Sequence, residues 1–431
     1  MRGKRIVSTG IITMLLAGLL GSCGPTSGAG TNESTGGKIA PEENKHLEIM
    51  TYDDDFWQRF VDDFCEKNPG YTVERKLSQA VDTGAIQATL SADDAPDILM
   101  VNSGPGRVLP LAQAGMLEDL TPYYEERGWA DKTVPYVMDA LHNFDNRIYE
   151  VVDNVDVFQM YYNKAIFEDA GVEPPTTWEE FENVLQTLKD AGVQPIVLGA
   201  NDNFSLGHLM GNLIQSNVGY EKMTDILYGD SSWDCPEMIA AYQNLKDWVD
   251  KGYINDDAAA IAGIEGQTRH AMGEGAMMVI ANGYLQQFVD QEMCKNEDFG
   301  TFMFPSQCGG TSAPTAGLAQ SWVINKNADN KEGALVFLDY VINDKIDFYD
   351  VEKRGTCPTT IVPEGKLEGD PVALEAVKAM EGGAGFNPSV YTTANEKTAY
   401  YESNQAVLTG LKTPEEAVKA IQAAKEADDA K

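Results

Sequence analysis

The spacing of apolar residues after residue 45 predicts strands and helices in alternation. Residues 47–51, 71–77 and 97–101 are short apolar or β-branched runs typical of strands, and residues 81–92 are a predicted helix. The first strand precedes a helix whose apolar positions are three or four residues apart: Phe56, Phe60, Val61 and Phe64. This β-α-β-α-β order predicts an α/β protein with a doubly wound sheet, in which ligands lie beyond the carboxyl ends of the strands.

The middle of the chain predicts a strand followed by a capped helix. Residues 155–162 are rich in β-branched and aromatic side chains. Thr177 stands three residues before Glu180, which is the spacing of a capping box at a helix start. The pattern continues with a predicted strand and three predicted helices, at residues 195–199, 238–249, 332–342 and 413–427.

The N-terminus carries an export signal. Arg2, Lys4 and Arg5 precede an apolar run of about ten residues, whereas a membrane-spanning helix needs about twenty. The run ends in Leu20-Gly21-Ser22-Cys23, which resembles the lipobox at which bacterial lipoproteins are acylated. We therefore expect residues 1–22 to be a signal peptide and residues 23–44 to be the lipidated Cys23 with a flexible Gly- and Ser-rich tether.

Charge and cysteine content exclude several classes of partner. Loss of the signal peptide removes three basic residues and no acidic one, so the formal net charge of −35 becomes −38. Such a surface repels nucleic acid and anionic lipid headgroups, and it weakly disfavours anionic cargo because the local charge of a site can override net charge. Five cysteines follow Cys23 without a Cys-x-x-Cys pair, so no metal site or disulfide framework is indicated. Cys294 and Cys308 could close one loop, although free thiols are the favoured interpretation.

The segment from Asp156 to Phe181 resembles the family 1 extracellular solute-binding proteins. The resemblance rests on Tyr162-Asn163-Lys164 and on Pro174-Pro175-Thr176-Thr177-Trp178. Shorter matches occur in the order found in the family, at residues 114–121, 251–254, 273–278 and 334–340. The resemblance implies a monomeric, extracytoplasmic lipoprotein that delivers a carbohydrate ligand to the permease subunits of an ABC importer. It implies no enzymatic activity and no cofactor.

The resemblance also implies a two-lobed periplasmic-binding-protein-like fold of type II, with hinge crossings and a cleft between the lobes. The N-terminal lobe would comprise residues 45–152 and 317–350, and the C-terminal lobe residues 153–316 and 351–431. The chain would cross between lobes near residues 152–158, 312–317 and 349–357. The family often has a proline after the Tyr-x-Val of the first crossing, whereas here Val152 is followed by Asp153.

A sugar site needs amide and carboxylate side chains for the hydroxyls and aromatic rings for the flat face of the sugar. The resemblance places an aromatic contact at Tyr284. The other candidates come from strand-end loops and crossings: Asp54, Trp57, Asn102, Asp153, Asp156, Phe204, Gln320 and Phe386. Trp57 could instead pack against the first helix, and each aspartate could instead cap a helix or face solvent.

Two other functions remain open from the residues alone. The same fold could bind a polyamine, a peptide or a metal chelate, because fold does not determine cargo. The chain could also be a secreted glycoside hydrolase. Such enzymes use a pair of carboxylates, and so acidic a chain contains many carboxylate pairs by chance. The sequence contains no Gly-x-Ser-x-Gly, His-Glu-x-x-His or Gly-x-x-x-x-Gly-Lys-Ser/Thr motif, and its four histidines are isolated.

Overall fold

The computed structural model describes residues 45–430, with gaps at 79–82, 142–145, 284–287, 290–291 and 310–311. The predicted signal peptide, Cys23, the tether and Tyr284 lie outside the described residues. The described chain is a mixed α/β structure with two sheets. None of its helices has the length and apolarity that crossing a membrane would require.

The first sheet has the order β2-β1-β3-β9-β4, in which β1 pairs in parallel with β2 and β3, and β9 is antiparallel to β3 and β4. Its strands are β1 His46–Tyr52, β2 Thr72–Ser78, β3 Ile98–Asn102, β4 Val151–Val152 and β9 Gln320–Ile324. The helices of this part are α1 Asp55–Lys67, α2 Thr83–Leu90, α3 Val108–Gln113, α4 Thr121–Glu126, α5 Pro135–Leu141, α12 Lys331–Asn343 and α13 Lys345–Glu352.

The second sheet is mixed, because β5 pairs antiparallel with four neighbours and only β8 and β11 are parallel. Its strands are β5 Asn154–Asn163, β6 Met277–Ala281, β7 Phe299–Phe302, β8 Thr315–Leu318, β10 Cys357–Pro358 and β11 Gly385–Phe386. Its helices are α6 Lys164–Ala170, α7 Trp178–Asp190, α8 Phe204–Val218, α9 Tyr220–Tyr228, α10 Pro236–Asp250, α11 Gly263–Ala271, α14 Pro371–Met380, α15 Pro388–Tyr391, α16 Ala394–Leu408 and α17 Pro414–Asp429.

The predicted helix starts and apolar stripes are confirmed. Thr177 and Glu180 form the capping box that begins α7, and Thr413 caps α17 in the same way. The four apolar positions predicted for α1 are all buried, and three of them, Phe56, Phe60 and Phe64, belong to the same hydrophobic core as Trp322. These features could be predicted from the sequence because a helix cap and an apolar stripe each depend only on residues within one or two helical turns.

Two expectations differ from the structure. The segment 195–199 is not a strand, and only Ile196 forms isolated bridges, to Ile254 and to Met277. The second crossing occurs at Ala319, between β8 and β9, so the chain leaves the second sheet two residues later than the expected boundary at 316/317. The first crossing occurs at Asp153, between β4 and β5, within the expected segment.

Candidate functional site

Loops from the two sheets meet beyond the carboxyl end of β3. A Cβ atom added to Gly104 would lie 2.3 Å from the backbone oxygen of Val390, and one added to Gly317 would lie 2.6 Å from Val390 Cγ2. Gly104 therefore permits a close approach that any larger residue would prevent. The two sheets thus adjoin around Val390, which lies in α15. In a doubly wound sheet, ligands bind beyond the carboxyl ends of the strands, and this junction lies at such an end.

On the side of the first sheet, the junction presents amide side chains. The Tyr52 hydroxyl donates a hydrogen bond to Asn102 Oδ1 at 3.0 Å, and Asn102 pairs in register with Gln320. Neither the Asn102 amide nitrogen nor the Gln320 side-chain amide makes a hydrogen bond to any described residue. Burial raises the pKa of Tyr52, and the charge of Arg107 partly opposes this shift. These amides are available to a ligand.

Asp156, in β5 of the second sheet, contributes a carboxylate to the junction. It stands opposite Gly317 in the β5–β8 pair, and Gly317 is in contact distance of Val390. The side chain is half-buried, and burial raises the pKa of its carboxyl to about 7. Within the described part of the chain this carboxylate has no hydrogen-bond or ion-pair partner, so a ligand hydroxyl could donate to it.

An exposed ring, that of Phe204, packs against the half-buried Tyr401 on the helical side of the junction. Phe204 is 52% exposed, and its ring centroid lies 6.2 Å from that of Tyr401 in an edge-on arrangement. The preceding loop is fixed by Asn203, whose positive φ of 69° is one that asparagine tolerates, and by Gln405 Nε2, which donates to Asn203 Oδ1 at 3.1 Å. The loop therefore holds Phe204 at the surface, where a sugar face could stack on the ring.

Two basic residues face each other across the junction. Lys397 lies in α16, and a Cβ atom added to Gly106 would lie only 3.2 Å from its ammonium nitrogen. Arg107 directly follows Gly106. Burial, together with the charge of Arg107, lowers the pKa of Lys397 to about 8.

Asp54 and Trp57 lie at the end of β1, in a separate cluster around Arg354. The Asp54 carboxylate accepts a hydrogen bond from the Phe56 amide at 2.8 Å and pairs with the Arg354 guanidinium at 3.1 Å. Trp57 is only 4% exposed and packs edge-on against Phe60 and Trp322. The structure therefore places Trp57 in the core, and Asp54 caps α1 while holding Arg354.

Asp153 and Phe386 do not face the junction. Asp153 is fully buried at the first crossing, where Trp322 and Tyr349 donate to its two carboxylate oxygens. Phe386 is buried in an aromatic cluster and stacks on Tyr220 at 5.1 Å between ring centroids. Of the predicted site residues, Asn102 and Gln320 are neighbours in the β3–β9 pair, Asp156 lies opposite Gly317 near Val390, and Phe204 packs against Tyr401.

A cavity of about 1020 Å³ lies on the other face of β5. Val155 and Cys357 line it, whereas the next residue on β5, Asp156, points to the opposite face because side chains alternate along a strand. None of the eight predicted site residues that the structure describes lines this cavity. Tyr136 lines the cavity, and its hydroxyl donates a hydrogen bond to the Ala316 carbonyl at 2.9 Å and lies 2.6 Å from the Tyr391 hydroxyl.

Metal-ligating and thiol groups are not part of the junction. Among the described residues, one group has the spacing of a metal site: His46, Glu48 and Glu74, at the amino end of β1. The Lys76 ammonium already pairs with Glu48 at 2.6 Å, so a cation would have to displace it. All five described cysteines are free thiols.

The sequence interpretation did not select Tyr52, Arg107, Lys397 or Tyr401. Tyr52 and Arg107 lie at or next to the ends of strands β1 and β3, so the strand-end rule could have found them. Lys397 and Tyr401 lie within a helix almost three hundred residues after Arg107, and only the folded chain brings them together.

Comparisons with known proteins identify the family. A family model described as bacterial extracellular solute-binding protein matches residues 50–347. A binding protein of Brucella abortus is 25% identical over 287 residues, which are 64% of this chain and 66% of that protein, so the chain spans just under two thirds of that relative. A "Probable sugar-binding periplasmic protein" of Mesorhizobium japonicum is 25% identical over 344 residues, 75% of this chain and 78% of that protein.

A solved structure agrees with this assignment at the level of the fold. A chitin oligosaccharide binding protein matches with a TM-score of 0.76 at 23% identity, and the match covers 90% of this chain and 99% of that one. The matched family segment covers well over half of the chain and contains most of the first sheet together with β5 to β8. The protein is therefore a member of the bacterial extracellular solute-binding protein family.

Proposed function

We propose that this protein captures a sugar or oligosaccharide at the junction around Val390 and delivers it to the permease of an ABC importer. The proposal is supported by the sugar-binding name of the Mesorhizobium relative and by the likeness in fold to a chitin oligosaccharide binding protein. The junction offers the chemistry that a sugar requires, namely amide and carboxylate groups together with the exposed ring of Phe204.

The observation that carries the proposal is a set of polar groups without protein partners. The Asn102 amide nitrogen, the Gln320 amide and the Asp156 carboxylate bond to no described residue, although all three are half-buried. Partly buried polar groups normally find partners, because leaving them unpaired costs about 1–3 kcal/mol each. Sugar hydroxyls can supply the missing hydrogen bonds.

Cargo at this junction would favour the closed arrangement of the two lobes. Asn102 and Gln320 belong to the first sheet, whereas Asp156 and Phe204 belong to the second part of the fold. A ligand that contacts both sides stabilises only the state in which both sides are close, so binding shifts the population toward it. With the second boundary moved to the crossing at Ala319, we take residues 45–152 with 319–350, and 153–318 with 351–431, as the two lobes.

We further propose that the mature protein is a monomer anchored to the outside of the cell membrane through Cys23, and that it breaks no bond in its cargo. The sequence before residue 45 supports the anchor, as a lipobox-like Cys23 follows a short apolar run. Replacing Cys23 by Ala should release the protein from the membrane fraction. Retention of the Cys23→Ala protein in that fraction would contradict the anchor.

Thermal unfolding of residues 45–431 against a ligand panel tests the cargo. Mono-, di- and oligosaccharides are the test ligands, and polyamines, amino acids and peptides are the controls. A ligand at one hundred times its dissociation constant adds about 2.7 kcal/mol, which a melting experiment detects readily. A shift with carbohydrates alone, with the sugar recovered intact, supports the proposal. A shift with the controls alone would assign another solute, and cleaved sugar would indicate a hydrolase.

A further inference from the structure

Three metal-ligating side chains meet near the amino end of β1, at the opposite end of that strand from the junction. One potential ligand atom from each of His46, Glu48 and Glu74 lies within 4.8 Å of the other two. The strand register produces this arrangement. His46 and Glu48 are two residues apart on β1 and therefore share a face of the sheet, and Glu74 stands directly opposite Glu48 on the parallel strand β2. No local motif indicates the group, because its third member comes from another strand.

The two carboxylates of this group share a single counter-charge. Like charges directly opposite each other destabilise a sheet. Among the described residues, Lys76 is the only lysine or arginine with an ion pair to either carboxylate, and it pairs with Glu48 at 2.6 Å. The hydrogen bond to Glu48 raises the pKa of Lys76, and the charge of Glu74 acts in the same direction. A divalent cation between Glu48 and Glu74 would neutralise both carboxylates.

The imidazole of His46 decides which cation suits the group. The Thr72 hydroxyl lies 3.1 Å from His46 Nδ1, and such contacts orient the rings of metal-ligating histidines. Imidazole and carboxylate together suit zinc and similar transition metals, whereas calcium and magnesium take oxygen ligands. His46 and Glu74 are exposed and Glu48 is half-buried, so an ion can enter from solvent and water can complete its coordination.

We propose that His46, Glu48 and Glu74 bind one zinc ion. Zinc would displace the Lys76 ammonium from Glu48, and Lys76 would keep its hydrogen bond to the Asp94 carbonyl at 2.5 Å. The ion would join β1 to β2 in the first described strand, directly after the predicted tether. It would not contact cargo, since the junction lies beyond the carboxyl end of β3. This inference is therefore independent of the proposed function.

Calorimetric titration with Zn²⁺, and with Ca²⁺ and Mg²⁺ for comparison, tests the inference. The protein is residues 23–431 with Cys23→Ala and no affinity tag, because a chain that begins at residue 45 would place its terminal amine beside His46. We expect one zinc ion to bind with a Kd of about 10 μM or tighter, and Ca²⁺ and Mg²⁺ to bind at least about tenfold more weakly. Zinc should also raise the melting temperature.

Variants of exposed or half-buried side chains identify the ligands without threatening the fold. His46→Gln and Glu74→Gln should each weaken zinc binding by about tenfold or more. Lys76→Gln removes the competing ammonium and should strengthen it. Glu66→Gln is the matched control, because it removes one negative charge from an exposed position of α1 and should leave the affinity for zinc unchanged.

Binding that is undiminished in both His46→Gln and Glu74→Gln would place the metal on thiols or on the acidic surface in general, and would overturn the inference. Equal affinity for Ca²⁺ and Zn²⁺, or no zinc binding at all, would overturn it as well. Cargo affinity should be the same with and without zinc, so the ligand panel that tests the proposed function and this titration can fail independently.

Discussion

The fully buried ammonium of Lys345 lies 3.6 Å from a carboxylate oxygen of Asp153. Trp322 Nε1 donates to the same oxygen at 3.0 Å, and Thr359 lies 3.5 Å from the ammonium. Asp153 forms the first crossing, Trp322 follows the second and Thr359 follows the third, so this network ties together all three connections between the sheets. Burial lowers the pKa of Lys345, and the charge of Asp153 opposes that shift.

Lys345→Met should destabilise the protein strongly, because it leaves the Asp153 carboxylate buried without its counter-charge. Removal of one partner from a buried pair costs about 3–5 kcal/mol. Urea denaturation measures the change in the free energy of unfolding. Lys331→Met is the matched control, since Lys331 pairs with Glu118 at a partly exposed site where about 1 kcal/mol or less is expected. Equal losses in the two variants would show that the buried pair has no special role.

Phe204→Ala and Trp57→Ala should have opposite profiles, although both residues were candidates for ligand contact. Phe204 is 52% exposed, so its truncation should weaken binding of the transported sugar about tenfold with little loss of stability. Trp57 is 4% exposed, so its truncation should cost about 3–5 kcal/mol of stability. Titration and urea denaturation of both variants measure the two effects.

Tyr220→Ala is the control, because Tyr220 is an exposed aromatic residue away from the junction. This variant should change neither ligand binding nor stability to the same extent. Unchanged affinity in Phe204→Ala would remove it from the site.

The contrast between Phe204 and Trp57 shows what the sequence can and cannot predict. Helix starts such as the Thr177–Glu180 capping box depend on neighbouring residues, so the pattern predicts them directly. Whether an aromatic residue after a strand faces the core or the solvent depends on helices far along the chain. Trp57 is covered by Trp322, which follows it by 265 residues, and no local signal indicates that contact.

The same argument applies to strands and to charge. Residues 195–199 have the composition of a strand, but within this segment only Ile196 forms β-bridges, one to Ile254 and one to Met277. The basic pair of the junction, Arg107 and Lys397, consists of two residues that are ordinary where they stand in the sequence. Their proximity is a property of the folded chain, because 290 residues separate them in the sequence.

Glu150→Gln should change the pH dependence of stability. Glu150 is 1% exposed, and burial raises the pKa of its carboxyl to about 7, although the Ser321 and Ser103 hydroxyls and the Gly104 amide oppose the shift. A raised pKa in the folded state means that the native protein holds a proton that the unfolded chain releases above about pH 4.3. The stabilisation by the neutral carboxyl is therefore complete below that pH and is lost as the pH rises through about 7.

Urea denaturation across this pH range compares the wild-type protein with Glu150→Gln, which cannot ionise. The variant should match the wild type in acid and exceed it in the free energy of unfolding above pH 7. Glu381→Gln, at an exposed position, controls for the loss of one negative charge. A constant difference between Glu150→Gln and the wild type at every pH would show that Glu150 is not protonated by burial.

Val377→Phe should leave sugar affinity unchanged, because Val377 lines the cavity of about 1020 Å³ and not the junction. The cavity is large enough to accept the added ring without overpacking, so stability should also change little. Val155 lines the cavity, whereas the next residue, Asp156, points to the opposite face of β5, so the cavity and the junction lie on different faces of this strand. Titration of Val377→Phe beside Phe204→Ala decides which space holds the cargo. If Val377→Phe weakened binding while Phe204→Ala did not, the cavity would be the cargo site, and the polar groups around Val390 would need another explanation.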